Sequence, residues 1–189
     1  MSIMTPAAAV VVVNCSRDCE LTETISLIAD DGHYDTQCDA LYARAFGPGR
    51  HAKAAARLRE GNVCRHELSV LAFHDDELVG ACRIWPIAGD NGVPALFLGP
   101  IAVDKSMRSI GLGRRSVQAC LAASETTQKC PVILVGDLSF FGPLGFEIVP
   151  PDQICMPGPV DPKRLLWAVA GVQPSRLPGG NLKPAAVQA

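Results

Sequence analysis

The stretch from residue 95 to residue 137 constrains the fold more than any other. It reads ALFLGPIAVD, then KSMRSIGLGRR running into SVQACLAASETT, then PVILVGD. The two outer pieces are apolar runs of strand length. The middle piece carries Val117, Cys120, Leu121 and Ser124 at helical spacing, with Arg114, Arg115 and Gln118 facing the other way. A strand, an amphipathic helix and a strand buried on both faces pair in parallel through a right-handed crossover. The fold class that follows is mixed α/β. With 189 residues, 48% of them hydrophobic and 19% charged, the chain suits one domain with a sizeable core.

The flanks fit this frame. Strands are expected over residues 20–30, 67–75, 77–87, 146–149 and 164–171. Helices are expected over 35–46, with Asp35 as a candidate N-cap, over 51–61, and over about 138–144. Asp75-Asp76 reads as a hairpin turn beside His74. Residues 1–18 read as an N-terminal arm, 19–172 as the single domain, and 173–189, rich in Pro and Gly, as a disordered tail.

Two details inside the crossover point to a ligand. Gly111 and Gly113 stand at the start of the helix, where the first N–H groups have no helical acceptor and the dipole favours an anion. Lys105, Arg108, Arg114 and Arg115 surround them, in a chain whose formal net charge is −2. A flexible turn with solvated arginines is the plain alternative. Upstream, Gly99-Pro100 interrupts the strand. Proline cannot donate to a ladder, so a bulge is expected there. It would splay the neighbouring parallel strand and leave backbone groups of Ile101 and Val103 facing a slot, where an extended amide ligand could pair with them. A P-loop pattern is absent, and Ser116 occupies the place of a third Rossmann glycine.

Composition argues against other classes. No global basic field recruits nucleic acid. No apolar run is long enough to span a membrane, and the apolar N-terminus lacks the basic start of a secretory signal. A cytoplasmic location is the default expectation. The eight cysteines form no CxxC pair and no zinc-site spacing, so they read as reduced thiols, with no metal expected. Cys120 falls on the core face of its helix, an unfavourable place for a nucleophile.

Three stretches together, LGPIAVDKSMRSIGLGRR, VILVGD and FFGPLGF, resemble the GCN5-related N-acetyltransferases. The nearest likeness is to a bacterial subgroup with a VGDxxYYxxxGF stretch and a PGPV segment, here VGDLSFFGPLGF and Pro157-Gly158-Pro159-Val160. AFGPGRHAKAAARLREG resembles the acceptor-side helices of that subgroup. The resemblance covers roughly residues 20–171. It implies a central mixed sheet of about six or seven strands, splayed between the strands at 95–104 and 131–136, with helices on both faces.

It also implies acetyl-CoA as donor and direct attack by the primary amine of a small molecule. Ile101, Ala102 and Val103 would line the pantetheine arm. Arg108, Ser109, Ile110, Gly111, Leu112, Gly113 and Arg114 would wrap the pyrophosphate, and Phe140 and Phe141 would pack over the cofactor. Asp137 could orient a base water, or simply cap the following helix. Arg83 and Trp85, two apart on one face of their strand, are substrate-side candidates, with Arg83 suited to an acidic group, or else form an edge-strand surface; Tyr42 and Arg50 sit on the acceptor-side helices, where Tyr42 could contact substrate or simply pack. Monomer and homodimer remain open.

One position departs from the family pattern. Where a Tyr often serves as proton donor to the leaving thiolate, this chain has Phe141, and its neighbour is Phe140. Either Ser139 or water substitutes, or the thiolate leaves unprotonated, or the chain binds CoA with little or no turnover, as a sensor or regulator would.

Overall fold

The computed structural model describes residues 11–14, 24–49, 53–127 and 129–185. Eleven strands and four α-helices follow in chain order: β1 Val11–Asn14, β2 Thr24–Ala29, α1 Asp35–Phe46, α2 Ala54–Arg57, β3 Val70–His74, β4 Glu77–Ala88, β5 Pro94–Val103, α3 Leu112–Thr127, β6 Val132–Val135, α4 Leu138–Phe141, β7 Glu147–Ile148, β8 Ile154–Cys155, β9 Leu165–Ala168, β10 Gly180–Asn181 and β11 Lys183–Pro184. Nine strands form one sheet in the order β1-β2-β3-β4-β5-β6-β9-β7, with β11 added against β4. That exceeds the six or seven expected, since β1 and β11 extend it.

The sheet is antiparallel except at its centre, where β5 and β6 run parallel through α3. Side chains alternate across it and divide the core by face. Leu96, Leu98, Val132 and Leu134 pack with Leu112, Val117 and Cys120 of α3. Phe97 and Ile133 point the other way and join Leu58, Ile154, Trp167 and Leu182. On that second face α1 covers the far end of the sheet, where Cys38, Leu41 and Tyr42 meet Leu71, Ala81 and Ala102.

Several expectations are revised. Of the helix expected over 51–61, the described residues hold only the four of α2. Asp35 is the first residue of α1, Tyr34 occupies the N-cap, and no side chain caps there. Residues 173–185 are not a disordered tail. Leu182, 2% exposed, plugs into the core, β11 pairs with Ile87 and Ala88 of β4, and Asn181 donates to Asp90 Oδ2 at 2.7 and 2.9 Å. Composition misled because these contacts are backbone pairings that need little apolar content. Of the expected arm, only β1 is described; it pairs antiparallel with β2, and the rest lies outside the described residues.

Candidate functional site

The central strands come apart as the interrupted strand suggested. In the β4–β5 ladder Cys82 faces Ile101 but Ile84 faces Leu98, so Arg83 alone opposes Gly99 and Pro100. Two residues against one is a β-bulge. The parallel β5–β6 pairing holds at Leu96–Val132 and Phe97–Ile133, and no further pair follows. Beyond it a cavity of about 700 Å³ opens, bounded by Phe97–Ile101 of β5 and by Val135, Gly136, Asp137, Phe140 and Phe141 after β6. The end of α1, α2 and the segment Pro159–Asp161 complete its walls.

The bulge is held from the α1 face. The Arg83 side chain, 7% exposed, places Nε and Nη2 each 2.9 Å from Asp30 Oδ2, and Nη2 2.7 Å from Asp35 Oδ1. Trp85 Nε1 donates to the Gly99 carbonyl at 2.7 Å, satisfying a group the bulge removes from the ladder. Arg83 and Trp85 therefore lie behind the cavity rather than in it. Tyr42, 3% exposed, lies on the buried face of α1, and burial raises its hydroxyl pKa well above the ordinary value. None of these three substrate-side candidates lines the cavity, and Arg50 lies outside the described residues. Position two apart on a strand named the face correctly, but the carboxylate that captures Arg83 is 53 residues away.

The edge of β5 beyond the bulge is half open. Asp104 N donates to Val79 O at 2.7 Å, so strand alternation turns the backbone groups of Ala102 toward β4 and those of Ile101 and Val103 toward the gap. Ala102 is committed to the core: its side chain is 3% exposed and packs under α1.

The chain then reaches α3 through two left-handed residues, Ser109 (φ 71°) and Gly111 (φ 80°). The first helical bond runs from Arg115 N to Gly111 O. The N–H groups of Leu112, Gly113 and Arg114 are thus left without a helical acceptor. A Cβ at Gly111 would stand in open space. One at Gly113 would sit 3.6 Å from Val103 Cγ2 and 3.8 Å from Phe140 Cζ, between the two walls of the slot. Arg108 Nε reaches Val103 O at 3.4 Å, and the Arg114 guanidinium lies 5.9 Å from the Phe140 ring centroid. Leu112 and Ile110 contribute backbone to this turn, while their side chains pack on the α3-side core. Unpartnered amides, positive charge and missing side chains together fit a phosphate-bearing ligand.

On the opposite wall Phe141, 9% exposed, stacks edge-on against Phe140 and Phe146 at 4.8 and 5.7 Å. Its ring lies over Gly136, where an added Cβ would fall 2.2 Å from Cε2. Asp137 occupies the N-cap of α4, but its side chain caps nothing; it pairs instead with Arg164 Nε at 3.2 Å. Ser139 is exposed and not among the cavity residues. Sequence reasoning missed Phe46, Lys53, Arg59, Asp161 and Arg164, which do line it. Only the PGPV segment signalled that wall: a Cβ added at Gly158 would fall 3.3 Å from Ala54 Cβ, and Arg57 donates to the Pro157 carbonyl at 2.9 Å.

Cys120 is fully buried against the Cys82 carbonyl, as its place on the helix predicts. Among the described residues no helix is long and apolar enough to cross a membrane.

A splayed parallel pair opening beside a glycine-flanked helix N-terminus can take an extended ligand that carries an anionic group. This chain belongs to the Acetyltransferase (GNAT) family, which it matches over residues 36–137, more than half its length. Its structure is similar to that of the Escherichia coli GNAT family N-acetyltransferase YhbS, solved in complex with CoA. The TM-score is 0.63 at 20% identity, over 97% of this chain and 94% of that one. It is also similar to a GNAT family acetyltransferase from Staphylococcus aureus Mu50, with a TM-score of 0.54 at 16% identity over 76% and 96%. Arabidopsis thaliana Naa50, solved with the bisubstrate analogue CoA-Ac-MVNAL, has a TM-score of 0.52 at 21% identity over 76% and 95%. At these identities the likeness concerns the fold. No curated protein matches the sequence.

Proposed function

We propose that this protein is an acetyl-CoA-dependent N-acetyltransferase that acylates a primary amine of a small molecule by direct attack. The observation that carries this reading is the end of β5–β6 pairing at Phe97–Ile133, which opens onto the cavity beside the free N–H groups of α3. CoA complexes of GNAT proteins from E. coli and Brucella melitensis lend the ligand its identity.

Bound acetyl-CoA supplies the activated acetyl group as a thioester. The chain's own residues do the rest. The N–H groups of Leu112, Gly113 and Arg114, with Arg108, Ser109 and Ile110 in the turn before them, hold the pyrophosphate. Ile101 and Val103 pair through their backbone with the pantetheine amides and aim the thioester into the cavity. Phe140 closes the slot from the α4 side. Asp137 orients a water that takes the proton from the attacking amine. With Phe141 at the usual acid position and Ser139 outside the cavity, the leaving thiolate is protonated from solvent.

A second reading, a CoA-binding protein with weak or no turnover, is favoured by that same Phe141, which is buried over Gly136 and carries no hydroxyl. Thiol release from acetyl-CoA across a panel of amines, with CoA binding measured in parallel, separates the two. Release above the hydrolysis background establishes the enzyme; tight CoA binding with no release establishes the binding protein. Phe141→Tyr is expected to keep CoA affinity and increase turnover. Unchanged turnover in that variant would show that the missing hydroxyl is not what limits the reaction.

A further inference from the structure

The cavity is built on hydrocarbon. Apart from five charged side chains, every described residue around it is apolar or glycine; among the described residues none of its walls carries a hydroxyl, an amide or an imidazole. The charged groups are each engaged by the chain itself. Asp137 pairs with Arg164 at 3.2 Å, and Asp161 Oδ1 accepts from the Lys163 N–H at 2.9 Å. Arg59 Nε donates to the Ala55 carbonyl at 3.2 Å, and Lys53 Nζ lies 5.7 Å from the centroid of the Phe46 ring. Arg83, the residue that sequence reasoning offered to an acidic acceptor group, is held behind the cavity by Asp30 and Asp35. A wall with no neutral hydrogen-bonding side chain selects by apolar size and shape.

That apolar surface lies away from the donor loop. Ala55, Val135 and Val160 pack on the second-face core around Phe97 and stay partly exposed to the cavity. Ile101 and Val103, whose backbone faces the donor slot, pack on the α3-side core instead. At the mouth stands Phe46, the last residue of α1 and 41% exposed. Phe46 and Phe140 are two of the five large apolar side chains left exposed among the described residues, and both line this cavity, one on the α1 wall and one on the α4 wall. Phe140 is met by the Arg114 guanidinium of the donor loop. Phe46 has no such tie to the donor side. Exposed apolar surface at a concave site marks where a ligand's own apolar part is covered, and an acetyl group fills only a small part of about 700 Å³.

We infer that the acceptor is a primary amine carrying an aromatic or alkyl group, which lies against Phe46, Ala55 and Val160 with Phe97 beneath, while its nitrogen is directed to the Asp137 side. The class is that of arylalkylamines and alkylamines, which need no hydrogen bond beyond those of the amine. This inference rests on the acetyltransferase reading and specifies its substrate.

The test is a thiol-release series with acetyl-CoA and the linear amines from propylamine to hexylamine. Each added methylene should raise kcat/KM about two- to fourfold, fourfold being a CH2 fully buried at about 0.8 kcal/mol. Hexylamine should exceed aminopentanol, its match in length and basicity, by about fivefold or more, because the hydroxyl would be buried against hydrocarbon. Phe46→Ser should flatten the series and Phe46→Leu should keep most of it, while CoA affinity by titration calorimetry stays in the wild-type range for both. A flat series, aminopentanol used as well as hexylamine, or a slope that survives Phe46→Ser would overturn the site. Octanoyl-CoA preferred over acetyl-CoA, with propylamine as acceptor, would give the apolar wall to the donor's acyl chain and overturn the acceptor class. If no amine releases thiol, the acetyltransferase reading fails separately. The site is then decided by binding to the CoA-loaded protein: N-hexylacetamide should bind more tightly than N-propylacetamide, with the difference shrinking in Phe46→Ser, and equal affinities would overturn it.

Discussion

Replacing Arg83 by Met should unfold this protein far more readily than its distance from solvent chemistry suggests. The Asp30 carboxylate has no exposed side-chain surface, and Arg83 meets it through two nitrogens at 2.9 Å. Arg83→Met leaves that carboxylate in the interior with only the Gly32 N–H at 2.9 Å and His66 Nδ1 at 3.1 Å. Removing one partner of a buried pair costs about 3–5 kcal/mol. For a chain of this size each kcal/mol moves Tm by about 2–4 °C, so the expected fall is about 6–20 °C. Asp35→Ala removes the other partner of Arg83, but that carboxylate is 66% exposed. Its loss should cost no more than about 1 kcal/mol. The double variant Arg83→Met/Asp30→Asn removes the stranded charge and keeps an acceptor for Gly32, so it should regain much of the loss. Thermal unfolding followed by circular dichroism measures all three. If Arg83→Met costs no more than Asp35→Ala, or the double variant is no more stable than Arg83→Met, the ion pair does not hold the bulge.

Gly113→Val places its branched Cβ between Val103 and Phe140 at ordinary contact distances, so Tm should hardly move while CoA affinity falls about tenfold or more; titration calorimetry with CoA checks this, and unchanged affinity would remove the phosphate cradle. Gly136→Ala forces the Phe141 ring to move from 2.2 Å and should cost about 1–3 kcal/mol as overpacking, with Phe141→Leu restoring stability in the double variant. Burial raises the Cys64 thiol from 9.0 to about 11 and the Cys38 thiol to about 12. A raised folded-state value stabilises fully below pH 9 and is lost as pH climbs through it, so Tm should decline between about pH 9 and 12. Cys38→Ala/Cys64→Ala should flatten that decline. Alkylation of the native protein at pH 7.5 should mark exposed Cys155 and spare Cys38, Cys64, Cys82 and Cys120.

The centre of this fold was legible because its signals are local. The crossover declares itself by the change from strand runs to a helical spacing and back, and Gly99-Pro100 marks the one place where β5 must leave the ladder. The same locality explains the failures. Arg83 looks like a surface arginine until Asp30 is brought beside it. The segment 173–185 looks disordered until β4 and β8 supply backbone partners. The cavity wall from Lys53 to Arg59 is held to Pro157–Asp161, about a hundred residues further along. Nothing in either segment alone announces the other.

The C-terminal strap also has a consequence for the order in which the site comes into being. A chain made from its N-terminus has β4, β5, α3 and β6, and with them the splayed parallel pair, once residue 135 has emerged. The last part of the opposite cavity wall comes later. Pro157–Asp161 follows β8, which is tied to β10, and Gln153 of that region donates to the Pro178 carbonyl. Asn91, at the tip of the β4–β5 hairpin, is joined in turn to Leu177 and Gly179. The nascent protein thus gains the open edge of β5 before it gains the wall that faces it across the cavity, and the strap is what joins the two.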